Sequence, residues 1–543
     1  MLSRSRRSLA VLLSSIVILS GCSSASSLSS TDASKEKAPA AESKATVAQE
    51  KPSIRIGWQK SGYPSPFAFS SSGPGGYLHN SFLFDTLTWK DDKGVIPWLA
   101  KSWKQSDSGL SYTFELEQGV KWHDGTAFTA DDVVFTFDYY KKYPFPWTGD
   151  ISQIESVKKL NETTVVFQLK NKYAPFLSDL VGIMPIIPKH IWEKVDKPMA
   201  YRDPGAVVGT GPFTLKAYDE KSGQYLFAAN EQYFKGQVKV KDVAYLDVQN
   251  KVLSLQKNEI NAGTTLNYPE VELIQKDGFD TMKNEQTGSA VRVVFNPEHP
   301  QLKDKRLRQA IAYALDRQDM AKKIVGGEPL VGSAGVIPPD SAWYNKDVQQ
   351  YAYNTAKAEE LLDHLGYVKQ ASGTREALKL NMMVSSTSKE AQMMQEMLKK
   401  VGVSLQIQQV DTATFTSAMG ENKYDMAITG HIGLSGDPDF LRLWFSGAAS
   451  NAFAARGKAF ANAQFQQLAE AQLSELDPAK RKAEVYQMQS ILSEELPTLV
   501  LYHRPFYLMY KKTDFNGWFN TFGGIADGIP LWDNKAAFID VRK

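Results

Sequence analysis

The sequence predicts an α/β fold, and three observations lead to that prediction. Segments that alternate apolar and polar residues, such as Ser53–Trp58 (SIRIGW) and residues 112–116 (YTFEL), are typical of β-strands. Patterns that start a helix, with a capping residue before an apolar face, occur between such segments. Both kinds of segment recur from residue 53 to the end of a 543-residue chain. That length predicts two to four compact units.

The first 22 residues predict an export signal with a lipid anchor. Three arginines, Arg4, Arg6 and Arg7, precede an apolar run at 9–19 that is too short to span a bilayer, which needs about 20 residues. The run ends in Leu19-Ser20-Gly21-Cys22, which resembles the lipobox of bacterial lipoproteins. Cys22, the only cysteine, is then the thiol that receives diacylglycerol. A further acyl chain would make the anchoring stable.

Residues 23–52 predict a flexible tether, because residues 23–53 are rich in Ser, Ala, Lys, Glu and Thr and have no aromatic residue. Beyond the tether no apolar run is long enough to span a membrane. A formal charge of +2 and the lone cysteine argue against a nucleic-acid partner, an internal disulfide and a Cys-rich metal site. We therefore expect an exported protein at the outer face of the cell membrane, or within the periplasm, held there by its lipid only.

Helix starts are marked by capping residues. Thr129-Ala130-Asp131-Asp132 has the form of a capping box and predicts a helix to about Tyr140. Asp304 stands near the start of a second helix, and Asn354 opens a third that Gly366 ends.

One segment predicts a parallel strand pair. Its order is a strand at 378–384, a helix at 389–401, a strand at 403–407 and another strand at 424–428. A right-handed β-α-β crossover is the expected connection. The segment resembles one lobe of a two-lobed α/β protein, and no repeat of fixed period indicates a solenoid.

A series of motifs carries a resemblance to a known family. The motifs are, in order, LAKSW (99–103), YTFEL (112–116), GVKWHDG (119–125), TADDV (129–133), GTGPF (209–213), DKRLRQAIAYALDR (304–317), AKAEELLDHLGY (356–367) and LPTLV (496–500). Together they resemble family 5 extracellular solute-binding proteins, the peptide- and nickel-type receptors of ABC importers.

The resemblance implies two lobes that close on a ligand. Lobe one would comprise 53–90, 206–292 and 506–543, with a subdomain inserted at 91–205, and lobe two would comprise 293–505. The expected partners are the permease subunits of an ABC importer and a small-molecule or peptide ligand. Transport energy would come from a separate ATPase, because the sequence has no phosphate-binding loop followed by Lys-Ser or Lys-Thr. A monomer without cofactor or resident metal is expected.

The family's cleft segments supply the candidate ligand-binding residues. They follow the first strand or lie in and after the glycine-rich run at 430–436, and they are Trp58, Tyr63, Phe67, His431, Gly433, Leu434, Asp437, Asp439 and Trp444. Aromatic faces suit peptide side chains, sugar rings or planar chelates equally.

Leu434 argues against a simple free-amine peptide. The resemblance implies an acid here, shortly before Gly-Asp-Pro-Asp, that holds the amine of a bound peptide. A buried ammonium without that acid is costly unless Asp437 or Asp439 substitutes. The alternative for these two aspartates, which we favour, is to start the helix that follows at Phe440.

Two histidines and an arginine have simpler interpretations. His431 is a weak candidate for a metal or metal chelate, against a role as a hydrogen-bonded wall residue. His123, in a turn with Asp124-Gly125, is expected to be structural. Arg442 is expected to be a solvated helix residue, with carboxylate pairing as the alternative.

No enzyme is predicted, because the sequence lacks a Gly-x-Ser-x-Gly turn and a His-Glu-x-x-His helix, and glycoside hydrolysis has no positive support. The predicted function is capture of a small solute, foremost a peptide, for an ABC permease. A receptor for a metal chelate or an oligosaccharide, and a tethered sensor or chaperone without import, remain the alternatives.

Overall fold

The computed structural model of the protein describes residues 50–58, 60–69, 75–145, 150–446, 460–525 and 528–541. The expected export signal, Cys22 and nearly all of the expected tether lie outside these ranges. Lys51–Lys543 form one compact unit.

The strands in the described residues are listed in chain order. They are β1 (Ser53–Trp58), β2 (Thr88–Lys90), β3 (Val95–Pro97), β4 (Ala100–Gln105), β5 (Ser111–Leu116), β6 (Ile154–Asn161), β7 (Thr164–Leu169), β8 (Phe213–Asp219), β9 (Gln224–Ala229), β10 (Gly236–Val238), β11 (Asp242–Asp247), β12 (Ala262–Thr265), β13 (Asp280–Lys283), β14 (Ser289–Phe295), β15 (Leu330–Val331), β16 (Lys379–Val384), β17 (Ser404–Gln409), β18 (Met426–Ile432), β19 (Thr498–His503), β20 (Tyr507–Tyr510) and β21 (Ile539–Val541).

The α-helices in the same residues are numbered likewise. They are α1 (Gly75–Leu83), α2 (Ala130–Lys142), α3 (Lys189–Trp192), α4 (Lys251–Gln256), α5 (Tyr268–Lys276), α6 (Lys305–Ala314), α7 (Arg317–Val325), α8 (Thr355–His364), α9 (Lys389–Lys400), α10 (Thr412–Gly420), α11 (Phe440–Phe445), α12 (Ala463–Ser474) and α13 (Pro478–Glu495).

Three larger sheets organise the fold. We call lobe one the seven-stranded sheet β13-β20-β12-β1-β11-β9-β8 with α1, α4 and α5. The antiparallel sheet β4-β5-β7-β6 with α2 and α3 is called the inserted subdomain. Lobe two is the six-stranded sheet β15-β19-β14-β18-β16-β17 with α6 to α13. The α/β prediction is therefore confirmed, while the residue bounds given above for the domains stay predictions.

The hydrophobic cores separate the two lobes. One continuous cluster of buried residues runs through lobe one and the inserted subdomain, from Phe82 and Tyr245 to Phe114 and Phe167. Lobe two has clusters of its own on either side of its sheet. Because apolar burial is the main favourable term in folding, each lobe is stabilised largely by itself.

The predicted helix starts are confirmed. Thr129 accepts a hydrogen bond from the N–H of Asp131, and the capping box with Asp132 is complete. The side chains of Asp304 and Asn354 accept from the first turns of α6 and α8. These caps satisfy amide groups that have no partner within the helix.

The predicted β-α-β unit of lobe two is also confirmed. β16 and β17 pair in parallel and are connected by α9. The sequence analysis missed α10, which lies between β17 and β18. β18 extends to Ile432, four residues beyond its predicted end, because it pairs with the full length of β14.

A buried ion pair joins the carboxyl-terminal segment to lobe one. The Lys535 ammonium lies 2.6 Å from Asp85 Oδ1, and both side chains are fully buried. Asp85 also accepts hydrogen bonds from Trp98 (2.6 Å), Thr210 (2.9 Å) and Tyr233 (3.1 Å). Such complete pairing is what makes a buried carboxylate tolerable.

His123 has the structural role expected of it. Its Nε2 lies 3.0 Å from the carbonyl oxygen of Gly211, and its Nδ1 accepts the N–H of Gly209. The GVKWHDG motif is thereby fixed to the GTGPF motif.

Two crossover segments, 284–288 and 504–506, connect the lobes, and they are hydrogen-bonded to each other. The N–H of Phe506 donates to Asn284 Oδ1 at 2.7 Å, and the N–H of Arg504 donates to Ser289 Oγ at 3.0 Å. His503 Nδ1 lies 2.8 Å from the carbonyl oxygen of Ser289.

Candidate functional site

A cavity of about 640 Å³ lies where three strands of lobe one end. β1 runs parallel to β11 and to β12, so their carboxyl ends meet at one edge of the sheet. Ligands of open α/β sheets bind at such an edge, in cavities of roughly 300 to 1,000 Å³. The lining residues are Trp58, Lys60, Ser61, Gly75, Asp247, Val248, Gln249, Asn250, Lys251, Thr264, Thr265, Leu266 and Glu270 from lobe one, Phe506 from a crossover and Ile432 from lobe two.

Trp58 forms an aromatic part of the wall. Its ring contacts Tyr245 edge to face, with centroids 6.5 Å apart. A Cβ atom at Gly75 would lie 2.2 Å from Trp58 Nε1 and 2.3 Å from Ser61 Oγ, so only glycine lets α1 begin this close to the wall. Trp58 lies where the sequence places it, and its contact with a ligand stays a prediction.

Lys251, the first residue of α4, brings a positive charge to the wall. Its ammonium donates to the Thr264 carbonyl oxygen at 2.8 Å and lies 6.0 Å from the centre of the Trp58 ring. Burial lowers the pKa of Lys251, while the carboxylates of Glu270 and Asp533 act in the opposite direction. Glu270 accepts a 2.6 Å hydrogen bond from Thr265.

Asp247 and Lys60 complete the charged lining. Asp247 is the last residue of β11, is exposed, and makes no side-chain hydrogen bond or ion pair with any residue that the structure describes. The Lys60 ammonium donates to the carbonyl oxygen of Glu220. All four charged side chains of the lining thus belong to lobe one.

Two titratable groups lie behind this wall. Asp533 is buried and accepts a hydrogen bond from Tyr245 at 3.1 Å, and burial raises its pKa to about 6. His79 is buried between the rings of Tyr225 (4.1 Å) and Tyr245 (4.2 Å), and burial lowers its pKa to about 3.

His431 lies in β18 and packs on the aromatic ring of Trp444. The two rings are edge to face, 4.8 Å apart, and the Arg292 guanidinium lies over the same tryptophan at 4.4 Å. Burial and the charge of Arg292 lower the pKa of His431 to about 3, so His431 is neutral at physiological pH. The next residue, Ile432, lines the cavity, whereas His431 and Trp444 do not.

Leu434 belongs to the core of lobe two. It is 1% exposed and lies in a hydrophobic cluster with Val336, Leu441 and Trp444. The chain turns into this core at Gly433, whose φ is +94°. An apolar, buried side chain thus stands where the resemblance implies an acid.

Asp437 and Asp439 are engaged by arginines. Both oxygens of Asp437 accept from Arg481 at 2.6 Å, and both oxygens of Asp439 accept from Arg442 at 2.7 Å. Gln472 adds a 2.7 Å hydrogen bond to Asp439. Paired in this way, neither carboxylate is available to replace the missing acid.

The capping role expected of these aspartates is wrong for Asp439. Asp439 precedes α11, but its side chain makes no capping hydrogen bond, because it faces Arg442 instead. Asp437 accepts the N–H of Asp439 at 2.9 Å. The expectation that Arg442 is solvated is wrong for the same reason.

Tyr63 and Phe67 pack away from the cavity lining. Phe67 is fully buried against Tyr140 and Trp192 of the inserted subdomain. Tyr63 contacts Tyr218 edge to face at 5.5 Å. The chain beyond Ser61 therefore joins the shared core of lobe one and the inserted subdomain.

The lobes also meet at a seam of backbone atoms, formed by residues 286–288, 435–436, 523–525 and 528. The N–H of Ser435 donates to the Gly528 carbonyl oxygen at 3.3 Å, and Ser435 Oγ donates to that of Gln286 at 3.1 Å. Gly528 has a φ of +76°, and a Cβ atom there would lie 2.2 Å from the nitrogen of Gly436. A second cavity of about 150 Å³, lined in part by Trp343, Asp437 and Phe522, lies beside the seam.

The charged lining residues Lys60, Asp247, Lys251 and Glu270 were not among the residues predicted from the sequence. The signal available was the alternating segment DVAYLD followed by Asn250, which caps α4. A strand followed at once by a helix start places its carboxyl end at the ligand edge of an α/β sheet.

The described residues provide neither a cluster of metal ligands nor a membrane-spanning helix. No group of three or more His, Cys, Asp or Glu side chains there is placed to hold a metal ion. No helix in those ranges is long and apolar enough to cross a bilayer.

Two lobes with separate cores, joined by two crossovers beside a cavity at strand ends, define a solute-binding protein of the two-lobed class. The model of the bacterial extracellular solute-binding proteins, family 5, matches residues 94–453. The chain belongs to this family, as its motifs predict.

Individual relatives agree with this assignment. The chain is 29% identical to the dipeptide-binding protein of Escherichia coli (strain K12) over 447 residues, which are 77% of this chain and 82% of that protein. The structure resembles the ABC transporter substrate-binding protein CtaP of Listeria monocytogenes, with a TM-score of 0.75, 23% identity and coverage of 91% and 100%. It also resembles NikZ of Campylobacter jejuni in complex with Ni(L-His), with a TM-score of 0.69, 23% identity and coverage of 85% and 94%. These likenesses confirm the two-lobed fold.

Proposed function

We propose that this protein captures a peptide in the cavity of lobe one and delivers it to the permease subunits of an ABC importer with a separate ATPase. The cavity at the carboxyl ends of β1, β11 and β12, in a chain of this family, is the observation that carries the proposal. The similarity to a dipeptide-binding protein supports the ligand class. The proposal includes no catalytic step, and the charged lining binds the ligand.

The lining suits a peptide in three respects. It holds both charge signs for the peptide termini, an aromatic face at Trp58 for side chains, and the amides Gln249 and Asn250 for main-chain groups. Ile432 faces the ligand from lobe two, so closing the lobes removes water and adds contacts. Ligand binding then favours the closed form, which the permease recognises.

Native mass spectrometry of the purified mature protein tests this function. We expect a mixture of co-purifying peptides, released on unfolding and absent after unfolding, washing and refolding. A single defined chelate or sugar in their place would contradict the peptide assignment.

We further propose that a diacylglycerol on Cys22 and an acyl chain on its new amino group hold a monomer at the outer face of the membrane. The lipobox-like run supports this proposal. Residues 23–52 would serve as a linker that lets the folded part move away from the membrane surface. Cys22→Ala should release the protein from membranes, while Ser24→Ala should leave it bound. Retention of the Cys22→Ala variant would disprove the anchor.

A metal chelate is the second candidate ligand. Leu434 stands where an acid would favour amines, and the NikZ structure that this fold resembles is in complex with Ni(L-His). Metal analysis of the purified protein distinguishes the two ligands, because stoichiometric metal in the protein as purified would favour the chelate.

Deleting the chain in its host separates import from sensing. Loss of solute uptake supports the importer, whereas intact uptake with altered signalling would favour a tethered sensor.

A further inference from the structure

We infer that Asp247 binds the cationic group of the ligand. The free amine of the ligand is then recognised by a residue of lobe one. The inference rests on the peptide function proposed above and adds the residue that selects for the amine. It follows from how each acid near the cavity is used.

The acids of the lobe-two loop are excluded first. Asp437 and Asp439 hold Arg481 and Arg442 through paired 2.6 and 2.7 Å hydrogen bonds. If either carboxylate turned to the ligand, its arginine would lose its counter-charge in a largely buried position, which is strongly unfavourable. Lobe two contributes only Ile432 to the described lining.

Asp533 is buried behind the wall and accepts from Tyr245, so the acids that line the cavity are Asp247 and Glu270, both from lobe one. Glu270 is held by Thr265 and lies in the field of the Lys251 ammonium, which already occupies the wall beside Trp58. Asp247 has no such commitment among the described residues, and its exposed carboxylate stands at the end of β11.

The surroundings of Asp247 favour an ammonium rather than a larger ion. The parallel register places Asp247 opposite Trp58. A carboxylate and an aromatic ring therefore lie side by side at this edge of the sheet. A carboxylate with an aromatic neighbour attracts a compact cation by charge and by the ring quadrupole. The lining has two acids and two lysines, and Lys251 lies in the field of Glu270. The Lys60 ammonium, which donates to the neutral carbonyl oxygen of Glu220, keeps its charge for the ligand's carboxylate.

The test measures binding of two tripeptide libraries, one with free amino termini and one acetylated, to the ligand-stripped mature protein. We expect the wild type to prefer the free-amine library by roughly 10- to 100-fold, as for a charged hydrogen bond. Asp247→Asn should abolish this preference, and Asp247→Glu should restore part of it. Asp277→Asn, an exposed acid outside the lining, is the matched control and should keep it.

The outcomes separate the inference from the function. Peptide binding that changes less than twofold on acetylation, or on Asp247→Asn, would overturn the inference and leave the peptide function standing. Absence of binding to both libraries would overturn the peptide function, and this inference with it.

Discussion

Buried histidines show how single residues set the pH response of this protein. His79 and His503 are fully enclosed, and burial lowers their pKa values to about 3 and about 4. The ordinary pKa of 6.5 applies to the unfolded chain. Below that pH the unfolded state takes up protons that the folded state refuses, so the free energy of unfolding falls as pH falls toward the folded values.

His79→Phe should reduce this acid sensitivity. The aromatic neighbours Tyr225 and Tyr245 accept a phenyl ring, and the variant loses one proton-linked group, about 1.4 kcal/mol per pH unit at most. Urea unfolding between pH 7 and pH 4 measures the slope. His364→Gln, at an exposed position, is the control. An unchanged slope in His79→Phe would contradict the assignment.

The pair Asp85–Lys535 should dominate the stability of lobe one. Lys535→Met leaves the Asp85 carboxylate buried without its counter-charge, and we expect a loss of about 3–5 kcal/mol. Adding Asp85→Asn should recover part of the loss, since the amide still accepts hydrogen bonds. Chemical denaturation measures both, with Lys346→Met of an exposed pair as the unaffected control. Equal stability of wild type and Lys535→Met would refute this.

Residue patterns predicted structure better than they predicted the site. Thr129, Asp304 and Asn354 cap helices because a cap depends on a few neighbouring residues. The cavity depends on Trp58 and Asp247, which adjacent parallel strands bring together across 189 positions of sequence, and no local pattern records that pairing.

At the scale of elements, two ion pairs fix the loop between β18 and α11 and its helix to the rest of lobe two. Arg481 of α13 holds Asp437, and Asp439 is held by Arg442 of α11 and Gln472 of α12. The motif Gly436-Asp437-Pro438-Asp439 is thus explained by packing, whereas the sequence alone left a ligand role open.

Asp439→Asn should therefore weaken the fold without weakening ligand binding. Losing a charged, nearly buried pair costs about 1.5–3 kcal/mol, so the thermal midpoint should fall. Affinity for the peptide library should change less than threefold. Asp247→Asn should give the reverse, with affinity lost and stability kept. A large loss of affinity in Asp439→Asn at low temperature, where the variant is folded, would indicate that Asp439 contacts the ligand.

Element prediction failed where local signals were weak. α10 has a Thr- and Ser-rich sequence, and its one reliable signal is the Asp411 cap. β18 was predicted too short because Thr429, Gly430 and His431 interrupt the apolar pattern, and pairing with β14 keeps them extended.

At the scale of the molecule, two crossovers and a backbone seam connect the lobes, and we expect the lobes to move as units about the crossovers. Small-angle scattering of the ligand-stripped protein should show a smaller radius of gyration when saturating peptide is added, because the lobes close. The ligand-stripped protein without peptide, at the same protein concentration, is the control. An unchanged radius with ligand bound would count against a hinged trap.

The lobes differ in how the chain builds them, which predicts different autonomy. Every strand of the lobe-two sheet lies between Ser289 and His503. A fragment of residues 287–505 should therefore unfold cooperatively, as circular dichroism during urea titration would show. A fragment of residues 50–286 should not, since it lacks β20. Cooperative unfolding of that second fragment would contradict the prediction.

The late position of β20 also has a consequence for biosynthesis. β20 lies between β12 and β13, and Asp85 meets its counter-ion only at residue 535. Lobe one therefore stays incomplete until almost the whole chain has left the ribosome. We expect such a nascent chain to stay without a closed first lobe until its last residues are made, which is the state that passage through an export channel would require.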